Sequence, residues 1–315
     1  MKYLVTGGAG FIGSNIVEGL VKRGDSVRVL DNFSTGKRSN LLPFLEQIEL
    51  IEGDIRSYHI VREAVSEIDV VLHQAALPSV PRSIRDPITT NEVNVAGTLN
   101  ILDAAKEAKV KRVVFASSSS VYGDNPELPK HEGLQVNPLS PYAVSKLGGE
   151  YYCKVFSQLY GLETVCLRYF NVFGPKQDPD SQYSAVIPIF IAAIVNDKQP
   201  LIYGDGNQSR DFTFVANVVQ ANILAATIDC PSGIAVNCAC HEQTTLNQLV
   251  KAINEILGKD IAPLYHPERA GDIKHSFADI SSAEKELGFK PAVNFEAGLK
   301  QTIEWFTNSY NSKVK

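Results

Sequence analysis

The sequence predicts a doubly wound α/β protein, a parallel sheet with helices on both faces, carrying a smaller C-terminal α/β region. Two observations over its first half predict the sheet. Short β-rich runs alternate with helix-length stretches, the pattern that right-handed strand–helix–strand crossovers produce. Runs such as Val70-Val71-Leu72 are apolar on both sides, as strands covered on both faces must be. A third observation is the hydrophobic content, 44% of 315 residues, enough for one large core or two joined ones.

Taken in order, strands are expected at Lys2–Thr6, Ser26–Asp31, Ile48–Glu52, Val70–His73, Arg112–Ala116 and Thr164–Arg168. Helices are expected at Phe11–Arg23, Tyr58–Glu67, Thr89–Ala108 and Pro141–Tyr160. After about Gly174 the rhythm changes. Proline, glycine and polar residues crowd Gly174–Tyr183 and Gly204–Arg210, and helices no longer interleave regularly with strands. The expected division is therefore a sheet domain over 1–172, completed by about 212–238, with 173–211 and 239–315 forming the smaller region.

A formal net charge of −5 argues against a nucleic acid partner. No apolar run approaches the roughly 18 residues that cross a bilayer, and no signal-peptide pattern opens the chain. Five cysteines, an odd number, favour a reducing cytoplasm over a disulfide framework. Cys238 and Cys240 read as core thiols. The scattered histidines lack metal-ligand spacing, and His73, ending an apolar strand, reads as hydrogen-bonded inside the fold.

Two clusters carry chemistry. In Thr6-Gly7-Gly8-Ala9-Gly10-Phe11-Ile12-Gly13, Gly7, Gly10 and Gly13 suit a tight turn, close approach to a pyrophosphate, and close helix–strand contact. The helix start then favours phosphate through its free amides and dipole. The second strand ends in Asp31, a carboxylate that suits the adenosine ribose and repels a 2′-phosphate, so NAD is expected over NADP. Arg28 and Lys37 are near enough in sequence to soften that preference. Asp54 follows the third strand, where it could reach the adenine or sit solvated.

In Ser140-Pro141-Tyr142-Ala143-Val144-Ser145-Lys146, Tyr142 and Lys146 share a face of a helix that Pro141 can start. A nearby ammonium and a positive nicotinamide favour the phenolate, making Tyr142 a base for a sugar hydroxyl. Ser117-Ser118-Ser119-Ser120 follows the fifth predicted strand, where ligands of such sheets bind.

With these motifs, and with Leu167-Arg168-Tyr169-Phe170-Asn171, Gly204-Asp205-Gly206, Ser209-Arg210-Asp211-Phe212 and Arg269-Ala270-Gly271-Asp272, the chain resembles the extended short-chain dehydrogenase/reductases over nearly its whole length. Among them it is most similar to NAD-dependent UDP-sugar 4-epimerases of the N-acetylglucosamine group. The resemblance implies a Rossmann fold and assigns roles. Ser118, Ser119, Tyr142 and Lys146 would be catalytic. NAD would be lined by the glycine turn with Phe11 and Ile12, by Asp31, Asn32, Ser34 and Gly36, and by Asp54 and Ile55. Gln74, Ala75, Ala76, Asn94, Tyr142 and Tyr169 would complete that lining, with Lys146 holding the nicotinamide ribose. The UDP-sugar would meet Ser118, Asn171, Ala185, Val186, Tyr203, Arg210, Arg269, Asp272 and Ser276.

Dehydratases of this superfamily carry an Asp-Glu pair in the serine-run region and decarboxylases a Glu. Here Ser119 and Ser120 stand in the comparable positions, which favours simple redox at C4. Ser276 falls where epimerases restricted to glucose and galactose commonly have a tyrosine, so a 2-acetamido group would fit. Pro78 stands where the N-acetylhexosamine group often has glycine. A UDP-glucose or UDP-glucuronate 4-epimerase and a catalytically silent NAD-binding regulator are the alternatives. A homodimer is implied through helices near Thr89–Ala108 and Ala143–Gln158.

Overall fold

A computed structural model describes residues 1–178, 185–268 and 274–313, with side chains to Asn308. The first half reads β1 (Lys2–Thr6), α1 (Phe11–Lys22), β2 (Ser26–Asp31), β3 (Ile48–Glu52), α2 (Tyr58–Val65) and β4 (Val70–His73). It continues through α3 (Val80–Arg85), α4 (Pro87–Asn91), α5 (Gly97–Glu107), β5 (Arg112–Ser118), α6 (Pro141–Tyr160) and β6 (Glu163–Tyr169). Beyond lie β7 (Val172–Phe173), α7 (Val186–Val195), β8 (Leu201–Tyr203), β9 (Ser209–Arg210), β10 (Thr213–Phe214), α8 (Val215–Thr227) and β11 (Ile234–Cys238). The described chain ends with β12 (Thr244–Thr245), α9 (Leu246–Leu257), β13 (Leu264–His266), α10 (Ser281–Leu287) and α11 (Phe295–Lys313).

Seven parallel strands form the main sheet in the order β11-β6-β5-β4-β1-β2-β3. The chain winds outward from β1 through β3, then returns to the other side of β1 at β4. Strand order therefore reverses between β1 and β4, and a crevice opens beyond their carboxyl ends, where such folds bind ligands. Thr6 and His73 are the paired last residues there.

Apolar residues cover both faces of this sheet. Ile16, Val17 and Leu20 of α1 pack with Val218, Ala221 and Ala225 of α8 on one side. Val61, Ile101, Leu102, Cys153 and Phe156, from α2, α5 and α6, pack on the other. A separate core joins α7, α9 and α11 through Phe190, Ile191, Leu249, Ile253, Leu299 and Ile303. Each such large side chain contributes about 1.5–3 kcal/mol on full burial.

Local chemistry shifted some expected boundaries. The stretch expected as one helix over Thr89–Ala108 is α4, one π-helical turn at Glu92–Ala96, and α5. The helix expected to reach Glu67 stops at Val65, because Ser66 is extended and Glu67 takes a φ of 59°. Strand β5 runs to Ser118, two residues further than expected, and so carries the first two serines of the run inside the ladder.

Candidate active site

The glycine turn leaves β1 at the crevice, and its glycines do different work. Gly7 takes a φ of +68°, and a Cβ there would stand 2.7 Å from the Ala75 amide nitrogen. At Gly13 a Cβ would fall 2.1 Å from the Gly7 carbonyl oxygen. Both are bare because the turn folds onto itself and onto the end of β4. Gly10 differs: a Cβ there would meet only that same oxygen, at 3.2 Å. Its Cα therefore faces open space at the start of α1, a helix with no side-chain cap.

Asp31 is buried at the end of β2, accepting from the amides of Ala9 (2.9 Å) and Phe33 (2.8 Å). It thus ties the glycine turn to the second strand, and burial raises its carboxyl pKa against those two bonds. Gly36 packs against Ala9 and Asp31. Asn32 accepts from the Ser34 amide and donates to Asp54 at 2.9 Å. Hydrogen bonds from Arg56 hold the Asp54 carboxyl down at about 2 despite partial burial, so Asp54 is a paired anion. It lies with Arg56, Ser57, Glu92 and Ala96 along an open concavity of about 470 Å³. Ile55 is buried against Gly97. Arg28 is turned inward, donating to the carbonyls of Ala64 and Ser66, and Lys37 pairs with Asp178 at 2.6 Å.

Helix α6 starts where its sequence dictates: the Ser140 hydroxyl caps the Ala143 amide and Pro141 occupies the first turn. Lys146 is buried and donates to the Ala116 carbonyl at 2.8 Å, its ammonium 5.9 Å from the Tyr142 ring centre. Burial brings its pKa down to about 8. The Ser118 hydroxyl is near enough to Tyr142 to favour its phenolate. The expected depression of the Tyr142 pKa is not what the chain alone produces. Burial raises it, and the Ser118 hydroxyl only partly opposes that. The physical reason is that desolvating a phenolate outweighs one hydroxyl donor, while the ammonium is directed at Ala116. Ser119 is half-buried and opens a 3₁₀ turn over Ser119–Tyr122.

Under this centre lies His73, hydrogen-bonded to Thr6 Oγ1 at 2.7 Å and Thr98 Oγ1 at 3.0 Å. Thr98 gives its own proton to the Asn94 carbonyl, so it accepts from His73 Nε2, and Thr6 donates to Nδ1. Burial, then the charge of Lys146, push His73 down to about 3. It is a neutral strut.

Two residues expected to line the cofactor are held by bonds within the protein. Asn94, lodged in the π-helical turn, bonds both the amide and the carbonyl of Leu77 and donates to Ser145 Oγ at 3.0 Å. It latches the 74–79 segment, in which Ser79 takes a φ of 100°. Tyr169 donates to Gln74 Oε1 at 3.0 Å and accepts from Asn222 at 2.8 Å, while Gln74 donates to Asn222. That closed triangle fixes the end of β4 beside Ala75 and Ala76. Asn222 escaped sequence reasoning because its partners Gln74 and Tyr169 lie 148 and 53 residues away in the chain.

A second group gathers around Asp211, which sequence reasoning also missed. Asn171, at a φ of 34°, donates to the Asp211 carbonyl. Arg210 donates to the carbonyls of Ser209 and Lys274. The half-buried Ser276 donates its amide to Ser209 at 3.0 Å. Tyr203 ends β8, its carbonyl accepting from Gln208. Ala185 and Val186 open α7, which has no side-chain cap. Arg269 and Asp272 lie outside the described residues. A separate concavity of about 700 Å³, bordered by Cys240, His241, Asp279 and Asn294, holds none of the expected site residues.

Asp211 makes stability depend on pH. Burial pushes its carboxyl up from 3.8 to about 6, outweighing amide bonds from Cys240, Ala278 and His241. The folded chain keeps this proton to higher pH than the unfolded chain. The resulting stability is fully present below the unfolded pKa and is lost as pH rises from about 4 to about 6, on the order of 3 kcal/mol. Denaturant unfolding of the protein and of Asp211→Asn should show their difference changing by that amount across the window. A pH-independent difference would contradict it.

The model of the NAD dependent epimerase/dehydratase family matches residues 3–239. The chain belongs to this family and is an NAD-dependent enzyme of the extended short-chain dehydrogenase/reductase kind. Within it, the chain stands with the UDP-sugar 4-epimerases. The solved UDP-N-acetylglucosamine 4-epimerase from Methanobrevibacter ruminantium, in complex with UDP-N-acetylmuramic acid, is 44% identical. It superposes with a TM-score of 0.93, covering 98% of each chain. The Thermus thermophilus UDP-glucose 4-epimerase, solved with NAD, is 37% identical with a TM-score of 0.89, over 98% of this chain and 100% of that one. A UDP-glucose 4-epimerase of Mycolicibacterium smegmatis is 38% identical over 312 residues, 98% of this chain and 99% of its own. Among the described residues no helix is long and apolar enough to cross a membrane.

Proposed function

We propose that this enzyme interconverts UDP-N-acetylglucosamine and UDP-N-acetylgalactosamine at C4, with UDP-glucose and UDP-galactose as secondary substrates. The observation that carries the chemistry is the seating of Lys146, buried on α6 one turn from Tyr142 and bonded to the Ala116 carbonyl of β5, the strand that ends in Ser118. The open Cα of Gly10 at an uncapped helix start, with the bare Gly7 and Gly13 that make the turn, fits a dinucleotide pyrophosphate. Asp31 and Asn32 would meet the adenosine ribose, with Ser34, Gly36, Asp54 and Ile55 around it. Phe11, Ile12, Ala75, Ala76 and Lys146 would line the nicotinamide half, with Gln74, Asn94 and Tyr169 fixing that wall.

Bound NAD⁺ would supply the hydride acceptor for sugar C4 and the hydride donor for return to the opposite face. The protein's part is proton handling. Tyr142 takes the 4-hydroxyl proton, Ser118 and Ser119 hold the oxygen, and the proton goes back as the keto group is reduced. Burial leaves the phenolate costly in the chain alone, and the positive charge of an oxidised cofactor beside it would favour that form. Serines in place of acids at Ser119 and Ser120 leave no group to expel or abstract elsewhere on the sugar. Asn171, Arg210, Arg269 and Asp272 would hold the diphosphate and uridine with Tyr203, Ala185 and Val186, guanidinium forks suiting phosphate oxygens.

For the sugar, the support is the small Ser276, half-buried against Ser209. Ser276→Tyr should cut turnover of the acetylated pair by about tenfold or more while leaving UDP-glucose within about threefold, the differential a filled pocket produces. Epimer ratios by chromatography read this, and equal loss on both pairs contradicts it. Epimerisation of UDP-glucose alone is the second reading, favoured by the Mycolicibacterium smegmatis relative.

We also propose a homodimer. Val144, Tyr151, Val155 and Leu159 form an exposed apolar stripe on α6, and Ile84 and Ile88 are exposed on α3 and α4, which pack against it. Sedimentation equilibrium should give twice the chain mass, and a single chain mass would refute this.

A further inference from the structure

Three successive residues at the end of β5 are tied to three successive turns of α6. The Ala116 carbonyl accepts from Lys146, Ser117 Oγ donates to Glu150 Oε1 at 2.5 Å, and Ser118 stands near enough to Tyr142 to favour its phenolate. Tyr142, Lys146 and Glu150 stand four residues apart and form one stripe of the helix. Two of these ties use groups that the reaction engages. Glu150 touches neither the expected cofactor site nor the expected substrate site.

Glu150 is held from behind by Arg168 on β6. The guanidinium forks onto both carboxylate oxygens at 2.9 and 2.7 Å, and its remaining nitrogen donates to the Tyr122 hydroxyl at 2.9 Å. Tyr122 in turn donates to Asn237 on β11 at 2.7 Å. Both charges are buried, 7% and 6% exposed. Burying an ion pair costs several kcal/mol per ion, and a well-packed apolar pair is often no less stable. Phe115, Cys153 and Phe156 already form an apolar core on this face. Packing alone therefore gives no reason for the pair; a fixed carboxylate aimed at Ser117 does.

We propose that Glu150, locked by Arg168, is a positioning residue for the reaction: by anchoring Ser117 it fixes the strand end so that the Ser118 hydroxyl meets Tyr142. The Ser118–Tyr142 contact must change as protons move, and the Lys146 tie is a single bond to a carbonyl. The Glu150 tie holds helix and strand in register while the reactive contact changes. Ser120, two residues on, returns its amide to Ser118 Oγ at 3.2 Å, so the hydroxyl's direction follows the backbone that Ser117 anchors. This inference rests on the 4-epimerase reading above.

The test uses the NAD-loaded protein with two readouts, steady-state kinetics and titration of the Tyr142 phenolate absorbance against a Tyr142→Phe blank. Ser117→Ala cuts the tie and leaves the ion pair whole. Expected are a Tyr142 titration raised by about one unit, a kcat lowered about tenfold with KM within about twofold, and an unchanged melting temperature. Ser117→Thr, which keeps the hydroxyl, should restore both readouts, and Glu150→Gln should reproduce the defect in whatever fraction folds. A Ser117→Ala protein with wild-type titration and kcat overturns the proposal. If the unaltered enzyme epimerises no UDP-sugar, the reaction reading fails separately, and the Tyr142 titration still decides whether Glu150 sets the Ser118–Tyr142 contact.

Discussion

Tyr142→Phe should lower kcat by about 10³-fold, within the range that a positioned proton carrier contributes, and leave both fold and bound NAD in place. The hydroxyl is the only group removed. Its loss strands the 4-hydroxyl proton, since Ser118 is a poor base without a partner and Lys146 is spent on Ala116. The ring stays, so the packing of α6 on β5 survives and the melting temperature should move little. KM should change less than kcat, because the lost interaction matters most in the transition state. A variant within about threefold of the parent kcat would remove Tyr142 from the chemistry.

The glycine turn supplies the second large effect, and here two neighbouring substitutions should part company. Gly13→Ala drives a methyl to 2.1 Å from the Gly7 carbonyl, a backbone atom fixed at the end of β1. That overlap should cost at least about 3 kcal/mol of stability with or without cofactor, at the upper end of overpacking effects. Gly10→Ala meets the same oxygen at 3.2 Å, which the turn can absorb by a few tenths of an ångström. Its cost should fall on the cofactor, with NAD affinity reduced about tenfold or more, roughly 1.4 kcal/mol. Thermal melts and NAD titration of both variants check this. If Gly10→Ala destabilises the free protein as much as Gly13→Ala does, Gly10 is a packing residue and the pyrophosphate is misplaced.

Sheet and turn were legible because each rests on local signals. Apolar runs at strand length, helix-length spacing between them and a glycine turn ending β1 need no knowledge of distant contacts. All six expected strands exist, with limits two residues apart at most. The π-helical turn at Glu92–Ala96 was not legible, since it exists to seat Asn94 against Leu77, seventeen residues away. The same holds for Asp211, Asn222 and the Glu150–Arg168 pair. Each is a polar residue in an apolar setting whose partner arrives only through the tertiary fold. The raised Tyr142 pKa of the chain alone was not legible for a related reason: spacing placed the ammonium on the right face but could not say that it points at a carbonyl.

Function divides along the same line. The cofactor turn and the Tyr142–Lys146 spacing are local and point to NAD and proton transfer. On the proposed reading the sugar is decided where chain segments converge, around Ser209 and Ser276, and no single segment states it. Incubation with UDP-N-acetylglucosamine, UDP-N-acetylgalactosamine, UDP-glucose and UDP-galactose in turn, with epimer ratios read by NMR, tests the central claim most directly. Interconversion of the acetylated pair in both directions, faster than the plain pair and with no net consumption of NAD, is the predicted result. No epimer from any of the four, with NAD bound, would contradict it.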